Sequence, residues 1–350
     1  MDNWNDYLLS QGARRSPDDT LQPADFGQAL SADALAAGFV AVIGDQGLIS
    51  VTGADAASFL HNQLTNDVEH LGEGEARLAG YCTPKGRLQA TFLMWRDAES
   101  IYLQLPRELQ PALQKRLSMF VLRAKARLAD ASQDVVVLGL GGAAAQAALS
   151  QHVGTLPGGP YSKVHNPLGT VIRVADAFGA PRYLWVLPPA VAAAIVPALR
   201  ATLALGGSQA WQLSAIHAGV PQITARTQEQ FVPQMINLEL LGGVNFKKGC
   251  YPGQEIVARS QYLGKLKRRT ALVTIDNADA QAADEVFALA DPGQPCGMIV
   301  NAAPNGAGGV DALVEMKLAA LEEGNIRLGS ADGAPLVFKT MPYPLDAIEV

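Results

Sequence analysis

Cysteine is scarce in this chain, and metal-binding patterns are missing. Cys82, Cys250 and Cys296 are the three cysteines among 350 residues. They are odd in number, widely spaced and free of any Cys-x-x-Cys or Cys/His cluster, which excludes a disulfide framework and leaves no resident zinc or iron–sulfur site to argue for. The five histidines, His61, His70, His152, His165 and His217, are scattered, with no two at metal-ligand spacing. Each reads as a satisfied structural residue. An apolar run of about 18 residues, the length a membrane helix needs, is absent, and the N-terminus lacks the basic-then-apolar order of a secretory signal. Positive charge is not in excess: 27 Lys and Arg against 33 Asp and Glu give −6. That argues against broad nucleic-acid or anionic-membrane binding, while leaving room for a local basic patch. Few cysteines and no targeting signal predict a cytoplasmic, reducing home.

What is present is apolar. Hydrophobic residues are 49% and charged residues 17%, enough to bury a large core, and this length predicts two or three domains. Residues 1–36 are polar, with Pro17 and Pro23, and read as a poorly ordered or surface-draped leader. Segments 39–43 and 48–52, separated by Gly44-Asp45-Gln46-Gly47, read as a hairpin. Helical spacing follows over 54–64, then strands at 88–95 and 101–105 and a helix over 109–121. A strand at 135–139 leads into an alanine-rich helix over 143–149, followed by strands at 171–175 and 183–187. Pro189 opens a helix running to about Leu205, kinked at Pro197. From Arg269 the texture changes to short strands (271–275, 286–289, 296–303) between Asp, Asn, Gly and Pro, a small β-rich module, with 311–321 undecided between helix and strand. The predicted division is 1–36, then 37–262 as two interleaved α+β subdomains breaking near 130, then 263–350.

The densest chemistry lies in Lys248-Gly249-Cys250-Tyr251-Pro252-Gly253-Gln254-Glu255. Two glycines and a proline within five residues mark a tight loop whose backbone lets a ligand approach closely. Lys248, two residues from Cys250, is placed to stabilise a thiolate, the form that attacks electrophiles or binds metal. A lone cysteine is more often buried and inert, but polar neighbours on both sides bring the two readings to even weight.

The order Lys-Gly-Cys-aromatic-x-Gly-Gln-Glu resembles the signature of YgfZ-type folate-binding proteins, with seven positions matched. Flanking blocks are also similar to that family: Gly53-Ala54-Asp55-Ala56, Phe59-Leu60 and Gln63-Leu64-Thr65-Asn66-Asp67-Val68; Cys82-Thr83-Pro84-Lys85-Gly86-Arg87; and Cys296-Gly297-Met298-Ile299-Val300-Asn301. The same blocks resemble the folate-dependent aminomethyltransferase of the glycine cleavage system. The resemblance implies an α+β, three-domain ring of the aminomethyltransferase type with a small C-terminal β-barrel-like domain. It implies tetrahydrofolate in or near the central opening, no permanently bound metal, and a role in assembly or repair of iron–sulfur enzymes. The implied partners are a folate, iron–sulfur enzymes or assembly proteins, with neither nucleic acid nor membrane and a monomeric chain.

The implied chemical pair is Cys250 with Lys248, and the expected folate contacts are Asn66, Asp67, Arg87, Tyr251, Gly253, Gln254 and Glu255. Asn66 and Asp67 read equally as helix-ending residues. Arg87 reads as a solvated turn residue or as the partner of a ligand carboxylate. Lys265, Lys267, Arg268 and Arg269 form a basic cluster, read first as a solvated strand edge and second as a dock for a polyglutamate tail or acidic partner. Two departures disfavour aminomethyl transfer. The stretch from Arg87 to Phe92 carries no carboxylate to act as general base, and Ser214-Ala215-Ile216-His217-Ala218-Gly219 stands where the transferases carry an arginine. A folate-dependent one-carbon transferase is therefore the alternative rather than the leading reading.

Overall fold

The computed structural model describes residues 2–15, 23–263 and 266–345. Helices and sheets are mixed throughout, as the α+β expectation requires. A six-stranded sheet runs in the order Lys163–Asn166, Gly169–Ala177, Ala180–Leu187, Val136–Gly141, Phe39–Val42, Ala204–Gly206. A five-stranded sheet runs Ala76–Cys82, Leu88–Arg96, Ser100–Pro106, Gln46–Thr52, Arg127–Asp130. A third, six-stranded sheet holds the C-terminal strands, Ile326–Leu328, Glu285–Ala288, Gly297–Pro304, Val310–Lys317, Arg268–Ile275 and Leu336–Lys339, and curls into a half-barrel.

The expected hairpin at 39–52 does not form. Phe39–Val42 pairs with Val136–Gly141 in one sheet, while Gln46–Thr52 pairs with Ser100–Pro106 in another. All four residues of Phe39–Val42 are buried, the mark of a central strand rather than a hairpin arm. The chain crosses between sheets at Gly44-Asp45, whose N–H groups both donate to Ser208 Oγ, at 3.0 and 3.2 Å.

The leader is also corrected. Asp2–Ser10 is a helix, and Trp4 and Leu8 are buried in the core behind the first sheet, beside Ile195 and Val196. Their i, i+4 spacing gives the helix one apolar stripe, which overrides its polar composition. Ser31 caps a second short helix, Ala32–Ala37, its hydroxyl accepting from Ala34 N. The helix begun at Pro189 ends at Leu199, and Ala204–Gly206 becomes a strand parallel to Phe39–Val42. Strand Ala76–Cys82 is an element the periodicity missed. The undecided stretch resolves into strand Val310–Lys317 followed by helix Leu318–Glu323.

Candidate functional site

Three sequence-distant segments meet around Cys250: the end of helix Ala56–His61, the turn 83–87, and the loop 245–253. The loop is fastened to the helix by Lys248. Its ammonium donates to the carbonyl oxygens of His61 (2.5 Å), Leu64 (3.0 Å) and Gly249 (3.2 Å), where unpaired helix-end carbonyls favour a cation. The ammonium also stands 4.7 Å from the centre of the Tyr251 ring, within cation–π range. Burial lowers the Lys248 pKa to about 8, against the raising influence of Asp67, Cys250 and Glu69.

The loop is fastened to the turn by close glycine packing. Gly253 has φ +81°, and a Cβ there would stand 2.4 Å from Thr83 O and 2.7 Å from Gly86 N. No side chain fits, so the two main chains lie against each other. Gly253 then opens helix Gln254–Tyr262, anchored by buried Val257, whose carbonyl accepts from Gln234 Nε2 at 2.8 Å.

The outcome is one exposed thiol. Cys250 is exposed, whereas Cys82 and Cys296 are buried, and burial pushes the Cys82 thiol up to about 12. Lys248, Cys250, Tyr251 and Gly253 come together, with Tyr251 buried beneath the loop and Glu255 exposed beyond it. Gln254 is half-buried at the start of the helix.

Asn66 and Asp67 stand behind this group. The Asn66 amide donates to Leu78 O and Gly242 O, both at 2.7 Å, and its Oδ1 accepts from Asp67 N at 2.8 Å. Both of its N–H donors are engaged with protein, so it acts as a strut between strand Ala76–Cys82 and Gly242, just before the loop. The Asp67 carboxylate lies 3.1 Å from His61 Nδ1 and 2.8 Å from His70 Nδ1. Arg87 turns away and donates to Gln230 O and toward the Met235 sulfur. The carboxylate missing from 87–92 is partly made good from elsewhere, because Glu229 Oε1 accepts from Gln89 Nε2 at 2.9 Å.

The basic cluster is not a solvated edge. Arg269, 2% exposed, is ion-paired with buried Glu239 and donates to Gln234 O at 2.9 Å. Arg268 is paired with buried Glu315. Lys267 is exposed, and Lys265 lies outside the described residues. Each arginine satisfies a carboxylate that would otherwise be buried unpaired.

A feature that no motif marks in the sequence is a partly open pocket of about 100 Å³ between the first two sheets and helix Ser208–His217. Arg182, Trp211, Tyr161, Gln104 and Leu78 are on its wall. The Arg182 guanidinium, 2% exposed, sits 4.2 Å over the Trp211 ring and has no carboxylate partner among the described residues. Its Nη1 donates to Ala175 O at 3.2 Å, while its Nε–H is unpaired. Burial lowers its pKa to about 9, offset in part by Tyr161 and Asp176. Buried Tyr161 O–H and Gln104 Nε2 are unpaired too. Buried polar atoms are ordinarily satisfied, so donors left open on one wall ask for an acceptor-rich occupant. Gly139 lets the Trp211 ring lie against its strand: a Cβ there would stand 2.2 Å from Trp211 Cε3. The signal in the sequence is a lone arginine in the apolar strand Ala180–Leu187.

No protein-family profile matches the chain. It is 34% identical over 229 residues to the tRNA-modifying protein YgfZ of Cronobacter sakazakii, covering 64% of this chain and 67% of that one. The tRNA-modifying protein YgfZ of Escherichia coli is 34% identical over 230 residues, covering 66% and 70%. The glycine cleavage system aminomethyltransferase T from Bartonella henselae superposes with a TM-score of 0.76, covering 98% of this chain and 96% of that one, at 16% identity. That likeness shows a shared fold, the aminomethyltransferase architecture that the motif blocks imply. On relatives and fold together, the chain belongs to the YgfZ family.

Proposed function

We propose that this protein binds tetrahydrofolate in the cavity beneath Trp211 and supports assembly or repair of iron–sulfur enzymes through the thiol of Cys250. The observation that carries the reading is the pairing of an acceptor-seeking cavity with a loop that exposes a single thiol. Leu78 lines the cavity, and its carbonyl holds the Asn66 strut to Gly242, just before the loop. The residues fit a pterin: Trp211 and Tyr161 offer aromatic faces, and Arg182, Tyr161 and Gln104 offer unpaired donors. When bound, the folate supplies a one-carbon carrier. Asn66 positions the loop, Lys248 fixes it to the helix end, and Cys250 reacts.

A soft thiolate suits iron–sulfur chemistry, and one cysteine holds a cluster only in partnership with another protein. The relatives are named for tRNA modification, and support of an iron–sulfur enzyme acting on tRNA joins that name to the thiol. Cys250→Ala is expected to leave tetrahydrofolate affinity intact and to abolish rescue of iron–sulfur enzyme activity in cells lacking the protein. Full rescue by that variant sinks the reading. Trp211→Ala is expected to weaken folate binding at least about tenfold, as loss of an aromatic face does.

Glu229 favours the alternative, a one-carbon transferase, because it brings a carboxylate to Gln89. Turnover of a one-carbon donor with free tetrahydrofolate by the purified protein, lost in Glu229→Gln, is the result that would support it.

A further inference from the structure

We infer that His61, oriented by Asp67, is the proton acceptor for the Cys250 thiol. The inference rests on the reading of Cys250 as the reactive group and adds the residues that activate it.

The imidazole of His61 is nine-tenths buried, its side chain 10% exposed. Its Nδ1 lies 3.1 Å from Asp67 Oδ1. A carboxylate only accepts, so this contact puts the ring proton on Nδ1. The approach of Val68 N–H to the same nitrogen, at 3.4 Å, is the weaker contact. Nε2 is left as the basic nitrogen, without a hydrogen-bond partner among the described residues. It faces the thiol loop: a Cβ on Gly249, the residue before Cys250, would stand 3.6 Å from Nε2. Glycine at 249 leaves the ring and the loop free to close on each other. The base and its orienting carboxylate thus stand beside the loop that carries the nucleophile, and a small movement of that loop would complete a Cys-His-Asp arrangement on residues drawn from two segments.

The step is a proton transfer. The Cys250 S–H bond breaks, a His61 Nε2–H bond forms, and the thiolate stays beside the Lys248 ammonium. Asp67 balances the imidazolium. The charged groups around His61 are Asp67, His70 and Glu69 from its own exit loop, and Lys248, bound to its carbonyl. The hydrogen bonds that His70 gives keep Asp67 ionised against the raising effect of burial.

The test is the pH–rate profile of Cys250 alkylation by iodoacetamide in the full-length protein, read peptide by peptide, with buried Cys82 and Cys296 as slow internal controls. His61→Gln is expected to slow the reaction about tenfold or more at about pH 6.5 and to leave it unchanged at about pH 10, where hydroxide takes the place of a protein base. Asp67→Asn is expected to lie between. A purely structural role moves the melting temperature without reshaping the profile. Superimposable profiles for wild type and His61→Gln overturn the inference. If His61→Gln fails to fold, the His61 titration is followed by NMR in wild type and Cys250→Ala. A shifted midpoint supports the pair, and an unmoved one overturns it. Rescue of iron–sulfur enzymes by Cys250→Ala, with the His61 effect on alkylation intact, removes the cellular role and leaves the pair standing.

Discussion

Gly253 and Gly86 lie main chain against main chain, and a Cβ on Gly253 would stand 2.7 Å from both the Cα and the N of Gly86. Through that contact a turn at 83–87 fixes the height of a thiol 163 to 167 positions further along the chain, because Cys250 stands three residues before Gly253.

Gly253→Ala is therefore expected to lift the loop. The left-handed backbone alone costs about 1–2 kcal/mol for an L-residue, and the clash with Thr83 O adds to it. Differential scanning calorimetry and cellular rescue check this together, with both expected to fall. Gly249→Ala, whose Cβ meets nothing nearer than 3.6 Å, is the matched control with a small effect on melting.

Lys248 is expected to be the most acylated lysine at about pH 8. Burial brings its pKa to about 8 from 10.5, so a large share is neutral amine where ordinary lysines are almost wholly charged. Limited acetic anhydride labelling with peptide mapping reads the ratio. The linkage has a definite sign. Between the folded and unfolded values the unfolded chain binds more protons, so this group's contribution to stability rises with pH across that window.

Breaking the Arg269–Glu239 pair by Arg269→Met is expected to destabilise by about 3–5 kcal/mol, because Glu239 is left buried and unpaired. Urea denaturation measures it. The double replacement with Glu239→Leu is expected to recover much of the loss, since apolar residues of similar size replace a buried pair well.

Acid is expected to loosen two carboxylate contacts, Asp67 behind the thiol loop and Asp311 on strand Val310–Lys317, which meets His217 at the end of helix Ser208–His217 at 2.6 Å. Burial pushes the Asp67 and Asp311 carboxyls up, but hydrogen bonds from His70 to the first, and from His217 and Thr274 to the second, bring both below the ordinary aspartate value. Depressed carboxyls contribute stability above the unfolded pKa and lose it as pH falls through the folded one, here below about 4. Denaturation midpoints at about pH 5 and pH 3 are expected to differ less in Asp311→Asn than in wild type.

The thiol loop was legible in the sequence because its signals are local: glycines, a proline and a cysteine within eight residues. The cavity was not, because Gln104, Tyr161, Arg182 and Trp211 come from four segments, and Arg182 looks like any strand cation until its missing carboxylate is noticed. The hairpin at 39–52 failed for a related reason. A Gly-Asp turn reads the same whether the chain doubles back or crosses to another sheet, and the choice rests on Ser208, more than 160 residues away. Arg268 and Arg269 read as solvated from their chain neighbours because their carboxylates, Glu315 and Glu239, lie on other elements. His61 reads as structural in the sequence because its partner Asp67 and its neighbour Gly249 are joined to it only in the fold.

The crossing at Gly44-Asp45 has a consequence for folding. Phe39–Val42 lies between Val136–Gly141 and Ala204–Gly206, and Gln46–Thr52 lies between Ser100–Pro106 and Arg127–Asp130. The five-stranded sheet is complete within residues 46–130, but the six-stranded sheet cannot close until chain from beyond residue 130 returns to pair with Phe39–Val42. A ribosome releasing the first 130 residues thus exposes a fully apolar strand that waits for its partners. Folding of this region is expected to be late and all-or-none, with long-range closure setting its rate.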